Sequence, residues 1–387
     1  MHSVAAPSRS PAFRLRDPST FSLALLAATI VPAALMMIAN AAFITPPSLF
    51  QPGLTALAFL SGGHVFITFW FYLDGGARRL MSCDRWYYLL TPAAVMATTC
   101  VIYVSVGAEY RPYAYAAFGL SAQWHHARQN VGIYAFLNRA WDLGPMSRAE
   151  RIVLSLSFVG GILAGLRWYQ LPTNTDAMNA LMYRGALVCF AVVLIAALWF
   201  GIREYRRHRK LRKTLLFVSL SMFFAPSVVF SSLGAASSFA AAHAIQYYLL
   251  MYYVMYRAPD AVRAAVRLPK TRWGWLAAIA LSGLWPLLVL YGLSDVYMRL
   301  NAAVPNHLAG GVDTIVFGII IGWVITHYIV DAGIWRMSDP NVRDYHDRAF
   351  GFLRAFKPAE APRIEPRRSG IGRMPALASP APQRRKA

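Results

Sequence analysis

The segment SAQWHHARQNVGIYAF (121–136) sits between two apolar runs, yet residues 123–130 hold two histidines, an arginine, two glutamines and an asparagine. His64, His243 and His327 stand in equally apolar surroundings, so five of the nine histidines fall inside greasy stretches. Ionisable groups in such places are costly to keep and default to a functional reading. Each has polar company three or four residues away, the spacing that shares a helix face. His125 precedes Arg128 and Gln129, His126 precedes Asn130, His243 precedes Gln246 and Tyr247, and His327 precedes Asp331. Such neighbours can hold the second ring nitrogen and so fix which nitrogen faces a ligand.

Imidazoles joined by one carboxylate suit non-haem iron, zinc or copper. The expected metal ligands are His64, His125, His243, His327 and Asp331, with Asp74 as an alternative carboxylate. His126, Arg128, Gln129 and Tyr247 are the candidate catalytic residues around them. Iron, haem or non-haem, is the expected cofactor. A bound metal would polarise an oxygen or activate water. Haem with axial histidines also fits these residue types, but no CxxCH is present for covalent attachment. Arg128 stays protonated and would repel a cation, so it is expected to meet Asp331, Asp74, a backbone carbonyl or an anionic substrate group.

The elements that position these residues follow from composition. The chain is 57% hydrophobic and only 14% charged, against about 25% charge in a soluble domain. Ten apolar runs lie at about 21–43, 53–74, 86–107, 112–137, 152–168, 180–201, 214–231, 234–256, 273–293 and 310–334. Most are long enough to cross about 30 Å of hydrocarbon as helices. In lipid a helix is the default, because it satisfies its own backbone. The fold class is therefore an all-α polytopic membrane bundle of about ten spans. The expected division is a leader at 1–20, the bundle at 21–335, a basic juxtamembrane segment at 336–356 and a disordered Pro/Arg-rich tail at 357–387.

Charge orients the bundle. With the N-terminus in the cytoplasm, 33 of the 38 lysines and arginines fall in cytoplasmic segments. Outside loops keep Arg111, Arg167 and Arg299. This asymmetry implies a bacterial-type inner membrane with both termini cytoplasmic. The net charge of +21 is then explained by topology and anionic lipid, not by nucleic acid, despite the run REYRRHRKLRK (203–213). The first run resembles a signal peptide ending at Ala39-Asn40-Ala41, but its apolar core is longer than such segments carry, so an uncleaved helix is expected. The three cysteines are isolated and imply neither disulfides nor a zinc knuckle.

In this topology His64, His125 and His243 lie roughly 10–12 residues from the outer ends of their helices, about 15–18 Å deep. All four histidine-bearing helices run the same way. A common depth on separate helices is what a shared site requires, and side chains converging within about 8 Å are expected. The leading reading is a metal-dependent oxidoreductase acting on a lipophilic substrate. Two others use the same residues. A transporter or channel would use the histidines as proton-relay groups. An acyl or glycosyl transferase would use His126 with Asn130, or His327 with Asp331, as a general base and its orienting partner. Membrane desaturases carry HxxxH and HxxHH boxes, and here only HHARQ appears.

Overall fold

The structure, a computed structural model, describes residues 18–42, 60–141, 143–167, 173–229, 232–256 and 306–353, with Leu171 and scattered positions at 274–284. Among these residues all regular structure is helical. In chain order the helices are α1 (Pro18–Ala42), α2 (Leu60–Leu73), α3 (Gly75–Cys83), α4 (Trp86–Ser105), α5 (Arg111–Ala140) and α6 (Arg148–Leu166). They continue as α7 (Asp176–His208), α8 (Leu211–Ser221), α9 (Pro226–Val229), α10 (Ser232–Tyr256), α11 (Asn306–Ile334) and α12 (Pro340–Phe350). Pro18–Leu35 within α1, together with α4, α6 and α7, are long and apolar enough to cross a membrane. That is the signature of a helical membrane protein. The expected segment 273–293, the tail 357–387 and most of the leader lie outside the described residues.

One expectation needs correction. The segment 214–231 is not one continuous helix. It breaks after Ser221 through a turn at Met222–Ala225, and Pro226 opens the short α9. Proline has no N–H to give the preceding turn, which kinks or breaks a helix. The basic segment 336–356 carries the helix α12. Asp339 caps α12 by accepting the Asn341 N–H at 2.9 Å, and α12 folds back with Val342, Tyr345, His346, Ala349 and Phe350 buried. His346 stacks on Trp335, ring centroids 4.2 Å apart, and its Nε2 donates to the Ile334 carbonyl at 2.6 Å.

Helix pairing follows residue size. α11 lies along α4, α1 along α10, and α6 along α7. The α4–α11 contact is made by Gly318 and Gly322, four apart. A Cβ on Gly318 would sit 2.8 Å from Cys100 Cα, and one on Gly322 would sit 3.0 Å from Met96 Cα. This is the small-xxx-small packing by which membrane helices approach closely.

A charged cluster ties α5 to α8 together at one end of the bundle. Ser147 and Glu150 form a capping box that starts α6. Tyr134 Oη donates to Glu150 Oε1 at 2.5 Å, while Lys213 Nζ lies 3.5 Å from that oxygen and 2.7 Å from Glu204 Oε2. Lys213 and Glu150 are both buried, and each neutralises what would otherwise be an unpaired charge.

Replacing Gly322 by Leu must push α11 off Met96. Overpacking of this kind typically costs about 1–3 kcal/mol. The Gly322→Leu protein in detergent is expected to melt several degrees below wild type, and Gly322→Ala much less. Equal melting of the Leu variant and wild type would refute close contact here.

Candidate metal centre

The site is built from four helices. α2 supplies His64 and Thr68, α5 supplies His125, His126 and Gln129, α10 supplies His243, Gln246 and Tyr247, and α11 supplies His327 and Asp331. All of them except Gln129 are buried. His64 Nε2 lies 3.2 Å from His243 Nε2. Ring centroids are 4.9 Å apart for His64–His327, 5.0 Å for His125–His243, 5.1 Å for His125–His327 and 4.0 Å for His126–His243. Two overlapping sets each keep one ligand atom per residue within 4.8 Å of the others, namely His64, His243 and His327, and His125, His327 and Asp331. Asp331 Oδ2 is 3.8 Å from His125 Nε2 and 3.6 Å from His327 Nε2.

Proton counting fixes the orientation of His327. Tyr247 donates its single hydroxyl proton to Asp331 Oδ1 at 2.8 Å. Thr68 Oγ1 is 2.7 Å from the Tyr247 oxygen and 2.7 Å from His327 Nδ1. With Asp331 ionised, Tyr247 has no second proton, so the Thr68 proton goes to Tyr247 at 2.7 Å rather than to the His64 carbonyl at 3.3 Å. Thr68 then has none left, so His327 must donate its Nδ1–H to Thr68. The chain therefore runs His327 to Thr68 to Tyr247 to Asp331, and it leaves the lone pair of His327 on Nε2. That nitrogen has no hydrogen-bond partner among the described residues. Outer partners of this kind set tautomer and ring angle in metal sites.

A second chain holds His243. Gln129 Nε2 donates to the His243 carbonyl at 3.3 Å and to Gln246 Oε1 at 3.2 Å. Gln246 Nε2 donates onward to Thr29 Oγ1 at 2.8 Å, and Thr29 to the Leu25 carbonyl at 2.8 Å. Gln129 thus ties α5 to α10 through its amide nitrogen.

All five histidines of the apolar runs, with Tyr247 and Asp331, meet in this cluster. Asp74 and Arg128 do not. Asp74 Oδ2 accepts from Tyr345 Oη and from the Ala77 N–H, both at 2.9 Å, so it caps α3 and holds α12. Arg128 was expected to meet Asp331, Asp74, a backbone carbonyl or an anionic substrate group. It is exposed, with its Cζ 5.7 Å from the Trp124 ring. The helical advance from His125 carries it off the buried face, and both oxygens of Asp331 already face the cluster. Thr68 and Tyr328 were missed. Thr68 stands four residues after His64, a readable signal, whereas the stacking of Tyr328 on His125 at 4.2 Å has no sequence signature. Comparison of the chain with known protein families, curated proteins and solved structures finds no match.

Thr68→Val keeps the shape of the side chain and removes the hydrogen bonds to Tyr247, to His327 and to the His64 carbonyl. It strands His327 Nδ1–H and leaves the Tyr247 oxygen without a donor, at about 1–3 kcal/mol for a buried unsatisfied group. Thermal unfolding is expected to show the loss, and Thr68→Ser to recover most of it. If Val and Ser variants melt alike, the hydroxyl is not part of such a chain.

Proposed function

We propose that this chain is an inner-membrane protein of about ten spans, with both termini cytoplasmic, whose histidine–aspartate cluster binds a metal ion and oxidises a lipophilic substrate. The observation that carries the reading is the convergence of four imidazoles and one carboxylate from four separate helices, with ligand atoms within 4.8 Å in each set. Two ligand atoms each about 2.1 Å from one ion lie about 3.0–3.4 Å apart at right or tetrahedral angles. The His64–His243 nitrogen separation of 3.2 Å falls in that range. Interhelical glue needs only pairs; here one nitrogen on each of His125, His243 and His327 lacks a hydrogen-bond partner among the described residues.

Ring centroids 4.0–5.1 Å apart leave no flat slot for a porphyrin between the imidazoles, which favours a bare ion over haem. Histidine with one carboxylate favours iron among the ions that catalyse oxidation. Such an ion supplies Lewis acidity and oxygen chemistry when bound. The residues then divide the remaining work. His327 presents Nε2 because Thr68 holds Nδ1. Asp331 offers Oδ2 because Tyr247 holds Oδ1. Tyr247 and Thr68 form a proton-bearing chain beside the ligands. The surrounding apolar helices keep bulk water out and admit a substrate from the lipid side.

The transporter reading uses the same histidines as relay groups, and metal analysis separates the two. Protein purified in detergent without chelators is expected to hold about one iron per chain, with His243→Ala and His327→Ala each losing most of it. Thr68→Val should weaken metal binding about 10–100-fold, as loss of an outer partner does elsewhere. Metal below about 0.2 per chain, unchanged by either His→Ala variant, would sink the proposal. Metal-free protein that drives pH-dependent flux in proteoliposomes would replace it with the transporter.

A further inference from the structure

α5 carries a second polar seam that meets the metal cluster only at His126. Gln123, His126, Asn130, Tyr134 and Asn138 follow at spacings of three, four, four and four residues, so they share one face of the helix. All five are buried. Four of them keep a polar atom with no hydrogen-bond partner among the described residues: Gln123 Oε1, His126 Nδ1, Asn130 Oδ1 and Asn138 Oδ1. Two further hydroxyls in the same condition, Ser157 and Ser221, stand on α6 and α8, the helices packed against α5. A dry seam would cost about 1–3 kcal/mol at each such atom. Hydrogen-bond glue between helices would give each such atom a protein partner, and these four atoms have none among the described residues.

The two ends of the seam are chemically distinct. At His126 it abuts the cluster, whose His243 ring lies 4.0 Å away. Past Asn130 it reaches Tyr134, which donates to Glu150. Glu150 continues through Lys213 and Glu204 to His208, 3.6 Å from Glu204 and partly exposed beside the basic run 203–213. Successive seam residues four apart rise about 6 Å along the helix, a gap that one water molecule bridges.

We propose that this seam is a water-filled proton path joining the buried cluster to the basic, cytoplasmic end of the bundle. Its ligand is water, held in file by the amides of Asn130 and Asn138, with Tyr134 and Glu150 on the file between them and the mouth beyond Asn138. Reducing oxygen takes up one proton with each electron that the substrate gives up, and a centre walled off by apolar helices needs a route along which protons reach and leave it. The proposal rests on the cluster being a working centre, but not on the identity of its metal.

The test uses full-length protein, labelled with ¹⁵N-histidine and moved into D₂O. Ring N–H signals of His126 and His243 are followed by NMR, and metal content is measured on the same samples, so failure of the metal reading shows separately. In the wild type both signals should vanish within minutes. Asn130→Leu should slow that loss at least tenfold, and Asn130→Ser should restore it. Asn138→Leu, nearer the mouth, serves as the second block if Asn130→Leu does not fold. Signals that persist for hours in the wild type would overturn the path. So would exchange in a folded Leu variant as fast as in the wild type.

Discussion

Hydrocarbon offers no hydrogen-bond partner, and that constraint shapes the interior of this protein. A polar side chain carried into the bundle must find another polar group or leave a costly orphan. Thr68, Tyr247, His327 and Asp331 meet this demand together. Four groups on three helices share three hydrogen bonds, and with Asp331 ionised the proton count sets their direction. The same chain locks α2, α10 and α11 at one depth and turns the free faces of His327 and Asp331 toward His125. Position and chemistry therefore come from one set of bonds.

The ends of the bundle obey the same rule with charges. Lys213 is buried yet lies between Glu150 and Glu204, and Glu150 is also held by Tyr134 and Ser147. Removing one member would leave the others buried and unpaired, which costs more than the pairs contribute. Asp74 plays the corresponding part for α12 through Tyr345. These contacts explain why carboxylates that look available in the sequence are not available to a metal.

Much of this was legible in the residues. Long apolar runs mark helices because lipid permits little else, and the i, i+4 pair His327–Asp331 lies on one face by helix geometry alone. The shared depth of His64, His125 and His243 pointed to one location, and their rings do pack together. Other features were closed to that reasoning. Depth says nothing about rotation, so Arg128 was aimed inward when the helix turns it outward. Asp74 was a plausible ligand until α12 folded back over it, and nothing local in DPNVRDYHDRAF (339–350) announces that docking beyond its proline start. The break at Met222–Ala225 hides in a run whose composition is apolar throughout, where only Pro226 interrupts it.

The crowded segment of α5 follows from these limits. A helix at the edge of a bundle can bury one polar seam, since its opposite side meets lipid. α5 carries two: His125 and Gln129 face α10 and α11, while Gln123, His126, Asn130 and Tyr134 follow another line. Both can be buried only if α5 is packed on several sides, and it touches α1, α6, α8 and α11. The narrow strip that remains takes Trp124 and Arg128, both exposed. Two adjacent histidines then serve two different neighbourhoods, because one residue of helix advance rotates the side chain by about 100°. The density of polar groups in 123–130 is thus the sum of two seams and a strip, each of ordinary density, wound onto a single helix.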